Sequence, residues 1–234
     1  MKPNNDMKKK LMILILVALT CMSASAQVKF GAKVGLDLTN FWGKDCGHQM
    51  VLNYQAGLIM EYRFSNAFAV APEVVFAAQG GKYDVLFTDR EDYIGPRVLP
   101  YGKYFGSNDG LYARPATFHM NYINVPIMLK YYVIPSLSID FGPQVGFNVY
   151  SKMTLGEAYG KDVAGKYDKE TIDLKDDTKS IDFGLGLGAS YNLTDNAFVQ
   201  ARYTLGLTNV IKGDLGEFYE SKNGNAQLAF GFRF

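Results

Sequence analysis

His48 and His119 are the only two histidines, and each has neighbours suited to a reaction. Asp45, Cys46 and His48 put a carboxylate, a thiol and an imidazole within four residues, the makings of a nucleophile with its base. His119 stands close to Asn121 and could act as a base toward a loop serine or aspartate. Both lie outside the patterned stretches, where a histidine more often has an ordinary loop or rim role. A Gly-x-Ser-x-Gly elbow, a His-Glu-x-x-His motif and a phosphate-binding loop are all missing from the sequence. Gly184, Gly186 and Gly188 recur with period two, which fits strand packing and not a phosphate cradle. The acidic run Asp173-Leu174-Lys175-Asp176-Asp177 lacks the ligand spacing of an EF-hand. Apart from Cys21 near the N-terminus, Cys46 is the only thiol, so it offers neither a disulfide partner nor a cysteine-based zinc site. These residues point to a non-enzymatic chain with no cofactor and no metal.

The remaining reactive groups are charges set inside apolar stretches: Lys29, Lys33, Asp37, Glu61, Arg63, Glu73, Lys130, Asp140, Asp182, Arg202 and Arg233. Their spacing explains them. From Phe30 to Leu38 the even positions are apolar and the odd ones are Gly, Lys and Asp. A strand sends successive side chains to opposite faces, so such a segment has one oily and one polar face. Leu52 to Phe64 repeats the pattern, as do Phe68 to Gly80, Tyr122 to Tyr132, Leu137 to Phe147, Ile181 to Tyr191, Val199 to Leu207 and Leu228 to Phe234. Most of these eight segments are near the nine to eleven residues with which a tilted strand crosses a bilayer.

The connections alternate in length. Ser65-Asn66, Ile134-Pro135-Ser136 and Thr194-Asp195-Asn196 are tight turns, whereas the stretches around 39–51, 81–117, 149–179 and 208–225 are long and polar. This layout predicts an all-β fold: an eight-stranded antiparallel up-and-down transmembrane β-barrel with short periplasmic turns and long external loops. Alternation alone does not say which face is inside, and a soluble lipocalin-like barrel would turn the apolar face inward. Glycine-rich polar faces, charges of nearly balanced sign and aromatics at the strand ends select the membrane arrangement. Phe30, Tyr62, Phe64, Phe68, Tyr131, Tyr191 and Phe234 fall toward the periplasmic ends, and Tyr54, Phe76, Phe147 and Phe183 toward the other, as two interfacial girdles. The eleven charges are then expected to pair inside a lumen too narrow for an open pore. The second long stretch holds Tyr83, Phe87, Tyr93, Tyr101, Tyr104, Phe105 and Tyr112, a candidate binding loop for a protein or surface ligand.

The N-terminus reads as a leader. Lys8, Lys9 and Lys10 precede an apolar run from Leu11 to Leu19, and Ala24-Ser25-Ala26 supplies a cleavage pattern. Residues 1–26 are thus a predicted signal peptide and 27–234 the barrel, placed in the outer membrane of a Gram-negative bacterium. Met7 is a second candidate start, and the residues before Cys21 make a poor lipidation motif. With 24 basic and 23 acidic residues, the formal charge of +1 leaves no basic face for nucleic acid. Mean hydropathy of −0.07 does not oppose a barrel, because alternating strands average out.

The run Tyr122-Ile123-Asn124-Val125-Pro126-Ile127-Met128-Leu129-Lys130-Tyr131 resembles a strand of the PorT-like outer-membrane β-barrel family of Bacteroidetes. Phe30–Gly35, Phe141–Gly146 and the closing Phe230-Gly231-Phe232-Arg233-Phe234 are similar to that family too. Asn124 departs from the acidic residue usual there, which removes a local partner for Lys130. The resemblance implies outer-membrane lipid around the barrel. It also implies delivery by the barrel-assembly machinery through the aromatic C-terminal Phe234, and it raises an accessory role in protein secretion as the alternative to a binding or structural role. A surface hydrolase and a small pore are the weaker alternatives.

Overall fold

The structure is a computed structural model that describes residues 28–43, 49–88, 97–99, 111–157, 168–212 and 221–234. Among the described residues ten strands form: β1 (Val28–Trp42), β2 (Val51–Arg63), β3 (Phe68–Thr88), β4 (Arg97–Leu99), β5 (Leu111–Ile134), β6 (Leu137–Leu155), β7 (Glu170–Asp173), β8 (Ile181–Asn192), β9 (Ala197–Asn209) and β10 (Lys222–Arg233). All pair antiparallel, and β2 pairs with β3 as well as with β1. The order β1-β2-β3-β5-β6-β8-β9-β10 therefore returns to β1, whose residues Gly31 to Trp42 lie against Arg233 to Lys222. Eight strands close into a barrel without a free edge, which is what a spanning sheet requires where no water can satisfy its backbone. The short connections at 64–67, 135–136 and 193–196 lie at one end, together with the start of β1 and the end of β10.

Four of the expected loops prove to be partly strand. β3 runs on to Thr88 and β5 begins at Leu111, so the base of the stretch 81–117 is a paired hairpin. β6 likewise extends to Leu155, where β7 pairs with it, and β4 pairs along Asp84 to Leu86. The backbone of these extensions stands in water, yet pairing still satisfies it more cheaply than an ordered loop would. Together β4, β3, β5, β6 and β7 make a five-stranded sheet projecting from the barrel's outer end. Gly80 sits at the base of this projection with φ of 149°, and a Cβ there would meet the Phe118 carbonyl oxygen at 1.9 Å. Only glycine fits that bend.

The predicted leader, together with Cys46 and His48, lies outside the described residues, as do Tyr93, Tyr101, Tyr104 and Phe105. Phe87 and Tyr112 are paired in register within β3 and β5, and their side chains also lie outside the described set.

Candidate functional site

At membrane height the polar face of the eight barrel strands points inward. Asp37 and Asp140 are 0% exposed and Lys33 is 2% exposed, while Leu58 and Leu228 on the outer wall are 67% and 63% exposed. A continuous apolar wall of this kind would be untenable in water and is what acyl chains demand. The lipocalin-like alternative is thereby excluded. Around the wall, Tyr62, Phe64, Phe68 and Tyr131 form a chain of rings with centroids 6.3, 6.2 and 5.2 Å apart near the short-turn end. Tyr54 and Phe76 pair at 6.5 Å toward the other end.

Inside, the charges form one connected lattice. Glu73 of β3 receives Arg202 of β9 through two hydrogen bonds of 2.9 and 2.7 Å, and Lys33 of β1 at 2.7 Å. Lys33 also donates to Gln200 Oε1 at 3.0 Å, and Gln200 Nε2 reaches Ser190 Oγ at 3.1 Å and Asp140 Oδ2 at 3.3 Å. Asp140 further accepts Ser138 at 2.6 Å and the Ser190 hydroxyl. Lys130 lies 3.5 Å from Asp140 and 3.5 Å from Glu61, and Glu61 accepts the Tyr132 hydroxyl at 2.6 Å. Arg233 of β10 completes the set at 3.5 Å from Glu61. Every one of the eight barrel strands contributes a side chain to the lattice. Gly186 and Gly188 on β8 leave the space that Arg202 and Met128 fill; a Cβ at Gly186 would lie 3.3 Å from Met128 Cε.

Not all eleven expected charges join equally. Lys29 is a correction: it is exposed at the rim, where its ammonium donates to the Asp195 carbonyl at 2.9 Å. Arg63 is half-buried at the mouth, 3.7 Å from Glu61 and 3.8 Å above the Tyr132 ring. Asp37 is held by Gln55 Nε2 at 2.7 Å and Asp182 by Asn223 Nδ2 at 2.8 Å, each away from the ion pairs. The absent acid at Asn124 is made good from other strands, since Lys130 reaches Glu61 and Asp140 instead. Tyr132, Ser138, Ser190 and Gln200 were not among the expected site residues. They share the polar parity of their strands, which was the available signal.

The second correction concerns Tyr83. It is not a loop residue presented to a ligand but a buried residue of β3, stacked on Phe118 with ring centroids 4.7 Å apart. Phe41 meets Phe118 edge-on at 5.9 Å, and Met120, Tyr122, Leu155 and Val210 complete an apolar cluster in the outer part of the barrel. The hydropathy of the faces thus inverts along the strand. At membrane height the outside is oily and the inside charged, whereas in the projection the inside is oily. His119 lies on the outer face of this region. Burial, with Lys82 and Lys169 close by, holds its imidazole below the usual value.

The family described as outer membrane protein beta-barrel domain matches residues 22–212. The chain belongs to that family. No curated protein matches the sequence. Among solved structures, this outer-membrane barrel is similar to Ail, the attachment invasion locus protein of Yersinia pestis, at 13% identity and a TM-score of 0.45. That match covers 89% of this chain and 99% of that one. Neisserial surface protein A is 10% identical, with 89% and 98% covered and a TM-score of 0.47. The outer membrane protein OprG of Pseudomonas aeruginosa is 12% identical, with 88% and 94% covered and a TM-score of 0.32. The family match ends before β10, yet β10 is the strand that closes the barrel on β1.

Among the described residues, a charge lattice below and an apolar cluster above occupy the barrel interior. In planar lipid bilayers the purified protein is expected to give no steady single-channel conductance. A stable ohmic step would show that the lattice opens.

Proposed function

We propose that this barrel is a non-enzymatic anchor that presents a rigid external β-sheet to a partner at the cell surface, after export through a cleaved signal peptide. The observation that carries the reading is the five-stranded projection built by β4, β3, β5, β6 and β7 above a blocked lumen. A barrel meant only to span would stop its strands near the interface. Here β3 is 21 residues and β5 is 24, about twice what a tilted crossing needs. The turn Asp173–Thr178 is also fixed, with Asp177 and Thr178 amides on the Leu174 carbonyl at 3.1 and 3.0 Å. Rigid edges and ordered turns bind with little entropic loss.

The finer likeness to the PorT-like family rests on the Tyr122–Tyr131 run, which occupies the membrane-spanning half of β5. It supports a second reading, an accessory to secretion. One experiment separates the two. A photo-crosslinking residue in place of Thr171, exposed on β7, is expected to capture a surface or environmental partner on intact cells. Capture of an exported cargo or a translocation component supports the second reading instead, and an uncrosslinked protein under all conditions rejects both. Phe234, exposed at the end of the chain with its amide on the Phe30 carbonyl at 2.8 Å, is the residue we propose the assembly machinery engages.

A further inference from the structure

We propose that the periplasmic mouth of the barrel is a receptor for a small oxyanion, a phosphate group borne either by a soluble solute or by a lipid headgroup. A cavity of ≈ 650 Å³ opens there, walled by the turns at Pro135–Ser136 and Leu193–Asp195 and floored by Glu61, Arg63 and Arg233. It lies at the opposite end from the projecting sheet and does not depend on the surface-binding role.

Three observations point to an anion. First, the charges do not balance locally. Glu61 is the one carboxylate on the floor, and Lys130, Arg233 and Arg63 crowd it at 3.5, 3.5 and 3.7 Å. Its nearest donor is a neutral one, the Tyr132 hydroxyl at 2.6 Å; Lys130 is shared with Asp140 at 3.5 Å, whereas among the described residues Arg233 and Arg63 have Glu61 alone as a carboxylate partner, at the limit of hydrogen-bond reach. Lys29 adds a further positive charge at the rim, and among the described residues Asp195 is the only other acid lining the cavity.

Second, both guanidinium groups sit over aromatic rings. Arg63 lies 3.8 Å over Tyr132 and Arg233 lies 4.3 Å over Phe198. A ring beneath a guanidinium restricts it while its remaining N–H edge can donate to an oxyanion. The arrangement is built into the backbone, because Gly231 makes room for the Phe198 ring. A Cβ at that position would lie 2.2 Å from it.

Third, a donor is left over. Arg233 is 2% exposed; its Nη2 donates to Asn192 Oδ1 at 3.1 Å, but its Nε has no acceptor. A buried charged donor without a partner is costly, and an oxyanion in the cavity is a group of the right kind to satisfy it.

The test uses the full mature barrel in dodecyl maltoside, with arginine Nε–Hε resonances followed as inorganic phosphate is added at constant ionic strength. Saturable shifts of Arg63 and Arg233 are expected. Arg63→Gln is expected to weaken the apparent affinity at least tenfold. Lys29→Gln, at an exposed site, is expected to weaken it about threefold. Shifts that chloride reproduces, that fail to saturate, or that both variants leave unchanged would overturn the site. Titration with dihexanoyl phosphatidylglycerol then assigns the source: competition with phosphate marks a headgroup site, and its absence a solute site.

Discussion

Glu73→Gln is expected to cost the folded barrel about 3–5 kcal/mol, the range for removing one partner from a buried charge cluster. Among the described residues Glu73 is the only acid ion-paired with both Arg202 and Lys33, with bonds of 2.7 to 2.9 Å to side chains 1–3% exposed. Glutamine keeps the shape but leaves two cations facing one amide, in an interior where water cannot compensate. Reversible urea unfolding in lipid vesicles, followed by the fluorescence of Trp42, the only tryptophan, measures the change. Replacing Glu73, Lys33 and Arg202 together by apolar residues of similar volume should recover much of the loss, since no orphan charge remains. A single-variant cost below about 1 kcal/mol would mean the lattice is hydrated and adaptable, contrary to its burial.

Leu187→Arg is the complementary test, applied from outside. Leu187 is 59% exposed on β8, paired with Phe141 and Tyr203 and near the middle of the oily band. Arginine at bilayer mid-depth on a barrel wall costs about 2–4 kcal/mol, falling to about 0–1 near the interface. Leu193→Arg, in the turn at the short-loop end, therefore serves as the control and should be nearly neutral. In a soluble protein the two substitutions, both at exposed leucines, would be equally harmless. A large difference between them is the signature of a hydrocarbon slab around the barrel, and equality would remove the membrane from the account.

Both predictions concern residues whose face was readable from the sequence. The alternation at Lys33, Glu73 and Arg202 placed them opposite Val34, Val74 and Tyr203, and strand geometry makes that separation unavoidable. The strand count and the short turns followed from the same pattern with turn residues between. The projection was harder to see although its signal is present. In β5 the apolar residues Ile123, Ile127, Leu129 and Tyr131 occupy odd positions, whereas Ala116, Phe118 and Met120 occupy even ones. The phase changes where the outer face leaves lipid and enters water. A reading that took one phase per strand stopped there and assigned 81–117 to a loop, Tyr83 with it.

Sequence by itself determined that this chain has eight two-faced strands, an even up-and-down layout and a nearly balanced set of charges on one face. Those follow from local periodicity, which each strand carries independently of its partners. The tertiary structure alone decided which charges met. Glu73 and Arg202 are 129 residues apart, and Lys33 and Gln200 are 167 apart. Their contact depends on the closure of β10 against β1 and on side chains crossing a lumen whose width is set by the strand number. No local pattern encodes that distance, because it exists only once the ring has shut.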